Sequence, residues 1–214
     1  MKNIEKSGGK FVIVSGRSKT SIDKVLEKYN INYDYMILNN GAIIFDNDGC
    51  IISEKFIDPY ISNNIVKHLK SKSDIEVLFY DENDKVAYNG QKLLKIRIKT
   101  LNRLETEKIE SEINYLFGDK VVAHANFEVN YCDYINYEHV DIVSIEAGKE
   151  KGIARLIKML DIKKEEVVTV GDGKNDIEMI KQYNGYAMVT AEEDVKKVAS
   201  KVFENILEVF EYIK

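Results

Sequence analysis

Short apolar runs that stop at glycine or small polar residues alternate along the chain with stretches whose apolar positions recur every three or four residues, a strand-and-helix rhythm. Phe11-Val12-Ile13-Val14 ends at Ser15-Gly16-Arg17 and runs into a helical stretch, 18–29. A second such unit lies near the other end, where Val167-Val168-Thr169-Val170 meets Gly171-Asp172-Gly173-Lys174-Asn175-Asp176 and a helix over 177–181. Between them the pattern predicts a helix over 60–71, strands over 75–80 and 86–89 around the turn Asp81 to Asp84, and an alternating strand over 93–100. A helix over 102–117 follows, with Leu104, Ile109, Ile113 and Leu116 inward, and then strands over 121–125 and 140–145. The expected fold is α/β: a core of residues 1–55 and 147–214, a parallel sheet with helices on both faces, into which a smaller α/β module, 56–146, is inserted.

Composition narrows the partners. The 214 residues carry 31 Lys plus Arg against 36 Asp plus Glu, a formal net charge of -5, with no basic block to grip a phosphate backbone, so nucleic acid is not expected. Hydrophobic residues at 44% suffice for a sizeable core. No apolar run approaches the roughly 20 residues of a membrane helix, and 11–14 is too short for a signal-peptide core. Cys50 and Cys132 lack metal-type spacing and are too few for a disulfide framework, which fits a cytoplasmic protein.

Three places carry candidate chemistry. Asp172 and Asp176 are hard oxygen donors four residues apart, just past the carboxyl end of a buried strand, where open α/β sheets bind ligands; they suit Mg²⁺, or else Asp176 caps the next helix. Ser15, Gly16 and Arg17 offer a hydroxyl, backbone N–H groups and a guanidinium to a phosphate, unless Ser15 or Ser18 serves as a plain N-cap. Lys151 at a helix start opposes the macrodipole and hints at a counter-charge nearby, or it is a solvated lysine of a charged run.

Taken in order, Val14-Ser15-Gly16-Arg17, Asn40-Gly41-Ala42 before a hairpin, an inserted module, Lys151-Gly152, and the run Val170 to Met179 resemble the haloacid-dehalogenase-like phosphatases of the Cof and sucrose-phosphatase type. The resemblance implies a Mg²⁺-dependent phosphatase for a small phosphorylated metabolite, with the middle module as a cap that covers the site and selects the substrate. It places the substrate phosphate on Ser15, Gly16, Arg17, Asn40 and Asn175, the charge of the phosphoryl group on Lys151, and the metal on Asp172 with Asp176. Members of that family open with a strand ending in Asp-x-Asp-Gly, whose first aspartate is the nucleophile. No aspartate precedes Ser15 here. The expectation is either a longer natural product whose first strand precedes this chain, or a catalytically inactive remnant that binds phosphate or a partner protein. Self-association through the incomplete sheet follows from either. Asp46-Asn47-Asp48-Gly49 imitates the missing motif but sits between apolar runs, after Ser15, and is read as a hairpin turn.

Overall fold

The computed structural model describes residues 8–70, 75–130 and 135–213, with the backbone alone at 128–130 and 135–137; Cys132 lies outside them. The chain forms two compact units, Met1–Gly148 and Lys149–Lys214.

The first unit opens with β1 (Val12–Val14), α1 (Lys19–Tyr29), β2 (Tyr35–Leu38), β3 (Ile43–Asp46) and β4 (Ile51–Glu54). β1 lies parallel to β2, and β3 and β4 continue the sheet antiparallel. The apolar spacing of α1 buries Ile22 and Leu26, and the helix ends where Asn30 takes a left-handed φ of 48°. Residues 46–49 form the expected hairpin, with three loop residues rather than two. The Asp46 N–H donates to the Cys50 carbonyl (3.0 Å), the Gly49 N–H donates to the Asp46 carbonyl (3.2 Å), and Gly49 adopts φ 81°. A third loop residue at positive φ lets a type I turn follow the twist of the strands.

The unit continues through α2 (Pro59–Lys70), β5 (Val77–Asp81), β6 (Asp84–Val86), β7 (Lys95–Thr100), α3 (Arg103–Phe117), β8 (Val121–Asn130) and β9 (Ile135–Ser144). These strands form an antiparallel sheet of order β6-β5-β7-β9-β8. Period-two alternation turns Ile96, Ile98, Val121, Ala123, Val140 and Ile142 to one face, where they share a core with Ile65 and Leu69 of α2 and Ile109 and Ile113 of α3. Leu104 and Leu116, expected inward, are 77% and 46% exposed. Leu104 is about 140° around the helix from Ile109, and Leu116 lies in the last turn.

A second core joins Ile22, Leu26, Met36, Leu38, Ile43 and Phe45 to Leu94, Val143 and Ala147. Packing therefore runs across residues 55 and 56 within the first compact unit, which ends at Gly148. The physical reason is the opposite face of the antiparallel sheet: its Val143 end is apolar and is covered by β2 and β3.

The second unit holds α4 (Lys149–Met159), β10 (Val170–Gly171), α5 (Ile177–Gln182), β11 (Tyr186–Met188), α6 (Glu193–Val198), β12 (Lys201–Phe203) and α7 (Ile206–Tyr212). β10, β11 and β12 are parallel in that order around buried Met179, Ile180, Tyr183, Ala187, Val195, Phe203 and Val209. β12 was not expected from sequence, and the strand expected over 167–170 pairs only at Val170–Gly171. β1 and β10 each end their own sheet, and among the described residues no strand pairs with the outer side of either. No described helix is long and apolar enough to cross a membrane.

Candidate active site

In the first unit, β1 delivers Ser15 to a loop held by the next strand. The Ser15 N–H donates to the Ile37 carbonyl (2.8 Å), the Asn40 N–H to the Ser15 carbonyl (3.1 Å), and the Asn39 N–H to the Arg17 carbonyl (3.0 Å). Ser15 Oγ accepts the Arg17 N–H at 3.1 Å, the turn that a serine before a helix favours. Asn40 folds over Gly16 so closely that a Cβ there would lie 2.8 Å from Asn40 Oδ1. Gly41, at φ 88°, packs backbone against backbone on Gly148, where a Cβ would lie 2.0 Å from the carbonyl oxygen. Gly16 lets the loops after β1 and β2 meet, and Gly41 lets the loop after β2 meet the segment after β9.

Beneath this loop lies a charged cluster from the antiparallel sheet. Lys95 Nζ donates to the Gly16 carbonyl at 2.7 Å and sits 4.5 Å from the Tyr80 ring centre. Arg97 binds Asp141 with two parallel hydrogen bonds, Nε to Oδ1 at 2.7 Å and Nη2 to Oδ2 at 2.8 Å. Asp141 Oδ2 also accepts from Asn40 Nδ2 at 3.3 Å and lies 3.7 Å from Lys95 Nζ. Burial alone would push the Asp141 carboxyl up; Lys95 and Arg97, with His139 adding to them, outweigh it and hold the group well below the usual carboxylate range.

In the second unit, the loop after β10 is organised by Asp176, which is 4% exposed. Its Oδ2 accepts the N–H groups of Asp172 and Gly173, both at 3.1 Å, and its Oδ1 receives Lys149 Nζ at 2.6 Å. Lys149 Nζ also donates to Asn175 Oδ1 at 3.2 Å. Gly171 is required: a Cβ there would lie 2.5 Å from the Asp176 Cβ. Asp172, exposed at the loop tip, has its carboxyl pushed up by partial desolvation and by the Asp176 charge, with Lys149 opposing. A carboxylate crowded by a second carboxylate is what a hard cation relieves. Among the described residues no group of three or more acidic, His or Cys side chains could hold a metal. Asp172, exposed at the loop tip, is the carboxylate of this loop that could hold a hard cation.

The structure thus joins Ser15, Gly16, Arg17 and Asn40 in one loop system and Asp172, Asn175 and Asp176 in another. Lys151 is exposed on the first turn of α4, and the lysine that meets Asp176 is Lys149, which is 7% exposed. Two residues along a helix correspond to about 200° of rotation, so the two lysines point to opposite sides. The helix begins two residues ahead of the predicted Lys151 start. Sequence reasoning also missed Lys95 and Asp141; the signal available was a lone charge inside each of the apolar runs Leu93-Leu94-Lys95-Ile96 and Val140-Asp141-Ile142-Val143.

The first unit thus carries an amide-rich serine loop at a strand end and an antiparallel sheet, and the second a carboxylate loop at a strand end, within a mixed α/β fold. The profile of the haloacid dehalogenase-like hydrolases matches residues 1–208, and the chain belongs to that family. Phosphatase YwpJ of Bacillus subtilis is 24% identical over 249 residues, covering 94% of this chain and 85% of that protein. Phosphoglycolate phosphatase 1 of Saccharolobus solfataricus is 24% identical over 210 residues, 94% of this chain and 76% of its own. The solved sugar phosphatase BT4131 superposes with a TM-score of 0.76 at 21% identity, over 99% of this chain and 88% of its own, a likeness of fold.

Proposed function

We propose that this chain carries the phosphate-binding, metal-binding and substrate-selecting parts of a Mg²⁺-dependent phosphoric monoester hydrolase for a small phosphorylated cytoplasmic metabolite. The observation that carries the reading is the loop after β10, in which Lys149 and two backbone N–H groups fix Asp176 beneath the exposed Asp172. Family membership and phosphatases among the relatives support it. In this reading Asp172 would hold the Mg²⁺, which would neutralise phosphoryl charge when bound. Asp176 orients the loop, Lys149 balances its charge, and Asn175, held by Lys149, would contact the phosphate. Ser15 and the N–H groups of Gly16 and Arg17 receive the phosphate oxygens, and Asn40 holds Gly16 in place.

No Asp-x-Asp-Gly precedes Ser15, which favours a second reading for this chain by itself: a phosphate-binding protein without the covalent step. The test is hydrolysis of p-nitrophenyl phosphate. The chain as given is expected to turn over negligibly, whereas a version extended upstream with an Asp-x-Asp-Gly strand is expected to hydrolyse the ester. That activity should be abolished by EDTA and fall about 10³-fold in Asp172→Ala. An extended protein with no activity, or with activity indifferent to Asp172, overturns the enzyme reading.

A further inference from the structure

The serine loop runs straight into α1, and the start of that helix lacks the local partners a helix start favours. Its first turn holds no acidic residue, and the hydroxyl of buried Ser18, the N-cap, accepts no N–H of its own helix. The partner comes from 64 residues away: the Thr20 N–H donates to Asp84 Oδ2 at 2.9 Å. Asp84 stands at the tip of the β5–β6 hairpin, where it pairs with Asp81 across Glu82 and Asn83. It adopts φ 79°, a backbone conformation open to glycine without strain and costly to other residues. A carboxylate kept at such a position points to a task for its side chain. Burial pushes the Asp84 carboxyl up, but the hydrogen bonds of the Thr20 N–H, the Thr20 and Ser18 hydroxyls and the Lys85 N–H outweigh it and hold the group below its ordinary value. The same sheet takes the other end of the loop, since Lys95 Nζ donates to the Gly16 carbonyl at 2.7 Å. One antiparallel sheet thus holds the segment 16–20 at both ends.

Resting on the phosphatase reading above, we propose that Asp84 is a positioning residue for the phosphate-binding loop: by capping α1 from the β5–β6 hairpin, it holds the N–H groups of Gly16 and Arg17 in the arrangement that receives phosphate. Asp84 does not itself contact the phosphate. A loop built on glycine loses conformational freedom when it closes on an anion, and the two anchors remove part of that freedom in advance. Asp84 also answers the positive end of the α1 dipole, which leaves anion binding to the loop rather than to the helix end. Its negative charge repels a phosphate nearby, but the anchoring of the loop outweighs that repulsion. The affinity of the serine loop is in this way set by the inserted sheet.

Inorganic phosphate, titrated into the full chain at fixed ionic strength and followed through the amide NMR resonances of Gly16, Arg17 and Thr20, tests this. In the wild type, phosphate is expected to move the Gly16 and Arg17 resonances. Asp84→Gly removes the acceptor and relieves the backbone, so its melting temperature should change little. The Thr20 resonance should move in this variant before any phosphate is added, and phosphate should bind about tenfold more weakly. Asp84→Asn keeps an oxygen for the Thr20 N–H and tolerates the positive φ, so it is expected to bind phosphate within about threefold of the wild type. This rescue separates anchoring from charge. If both variants bind phosphate more tightly than the wild type, repulsion governs and the inference is overturned. It is overturned equally if Asp84→Gly binds like the wild type, or if Asp84→Asn loses as much as Asp84→Gly. Each of these outcomes leaves the phosphatase reading standing, because the wild type still binds phosphate. Gly16 and Arg17 resonances that ignore phosphate in the wild type overturn that reading and this inference together.

Discussion

Two buried aspartates, Asp141 and Asp176, sit in opposite electrostatic settings. Asp141 is one carboxylate among Lys95, Arg97 and His139 and is held strongly ionised. Asp176 shares a single lysine with the neighbouring Asp172, whose carboxyl is pushed up. In the first setting cations surround one carboxylate; in the second two carboxylates crowd one lysine. The same ionisable side chain thus takes different work according to the balance of charge around it.

The comparison can be broken at Asp141 first. Asp141→Asn leaves Lys95 and Arg97 buried against a neutral amide and is expected to cost about 3–5 kcal/mol in urea unfolding. Because the folded-state pKa of Asp141 is depressed, its contribution is fully present above the unfolded carboxylate value of about 3.9 and is lost as pH falls through the folded value. The gap between wild type and Asp141→Asn should therefore be flat above about pH 5 and close only in strong acid. A gap that narrows near neutrality would mean that Asp141 is not the group held down.

On the other side, Lys149→Met strips the cation from Asp176 but leaves its two backbone N–H donors, so a loss of about 2–3 kcal/mol is expected. Lys151→Met, on the exposed side of α4, should stay within about 0.5 kcal/mol of wild type. Equal effects of the two would restore Lys151 to the site.

Asp172→Asn should act in the reverse sense to Asp141→Asn. A carboxyl whose folded pKa is raised opposes folding at neutral pH, and this opposition fades as pH falls through the folded value. The amide is expected to leave the protein slightly more stable at pH 7 while removing any rise in melting temperature on adding Mg²⁺. Calorimetry with and without Mg²⁺ measures both, and a destabilised variant that still responds to Mg²⁺ would sink the assignment.

The smallest effect is expected at Asp46. Its Oδ1 accepts the N–H groups of Asp48 (3.0 Å) and Cys50 (2.8 Å), a task the amide oxygen of asparagine also performs. Asp46→Asn should change stability by less than about 0.5 kcal/mol and leave ligand binding as it was. A large loss of phosphatase activity in the extended protein would instead reveal Asp46 as the nucleophile.

Local pattern was legible wherever a residue's neighbours in sequence are also its neighbours in space. The alternation of 93–100, the helix at 18–29 and the turn chemistry of Asp46 to Gly49 all reappear in β7, α1 and the hairpin. Legibility failed where a boundary moved by two residues. On a helix that shift exchanges one face for another, and it is Lys149 that meets Asp176.

By itself the sequence determined the strand-loop-helix units at 11–29 and 167–181, the inserted module and the carboxylate loop, because hydrophobic period and glycine placement are short-range properties of the chain. Only the tertiary structure decided that Arg97 lies opposite Asp141, 44 residues away, that Lys95 reaches the Gly16 carbonyl across 79, and that Asp176 is closed by Lys149 across 27. Strand register and helix rotation set those pairings, and both emerge from packing the apolar faces together, which no local stretch of sequence specifies.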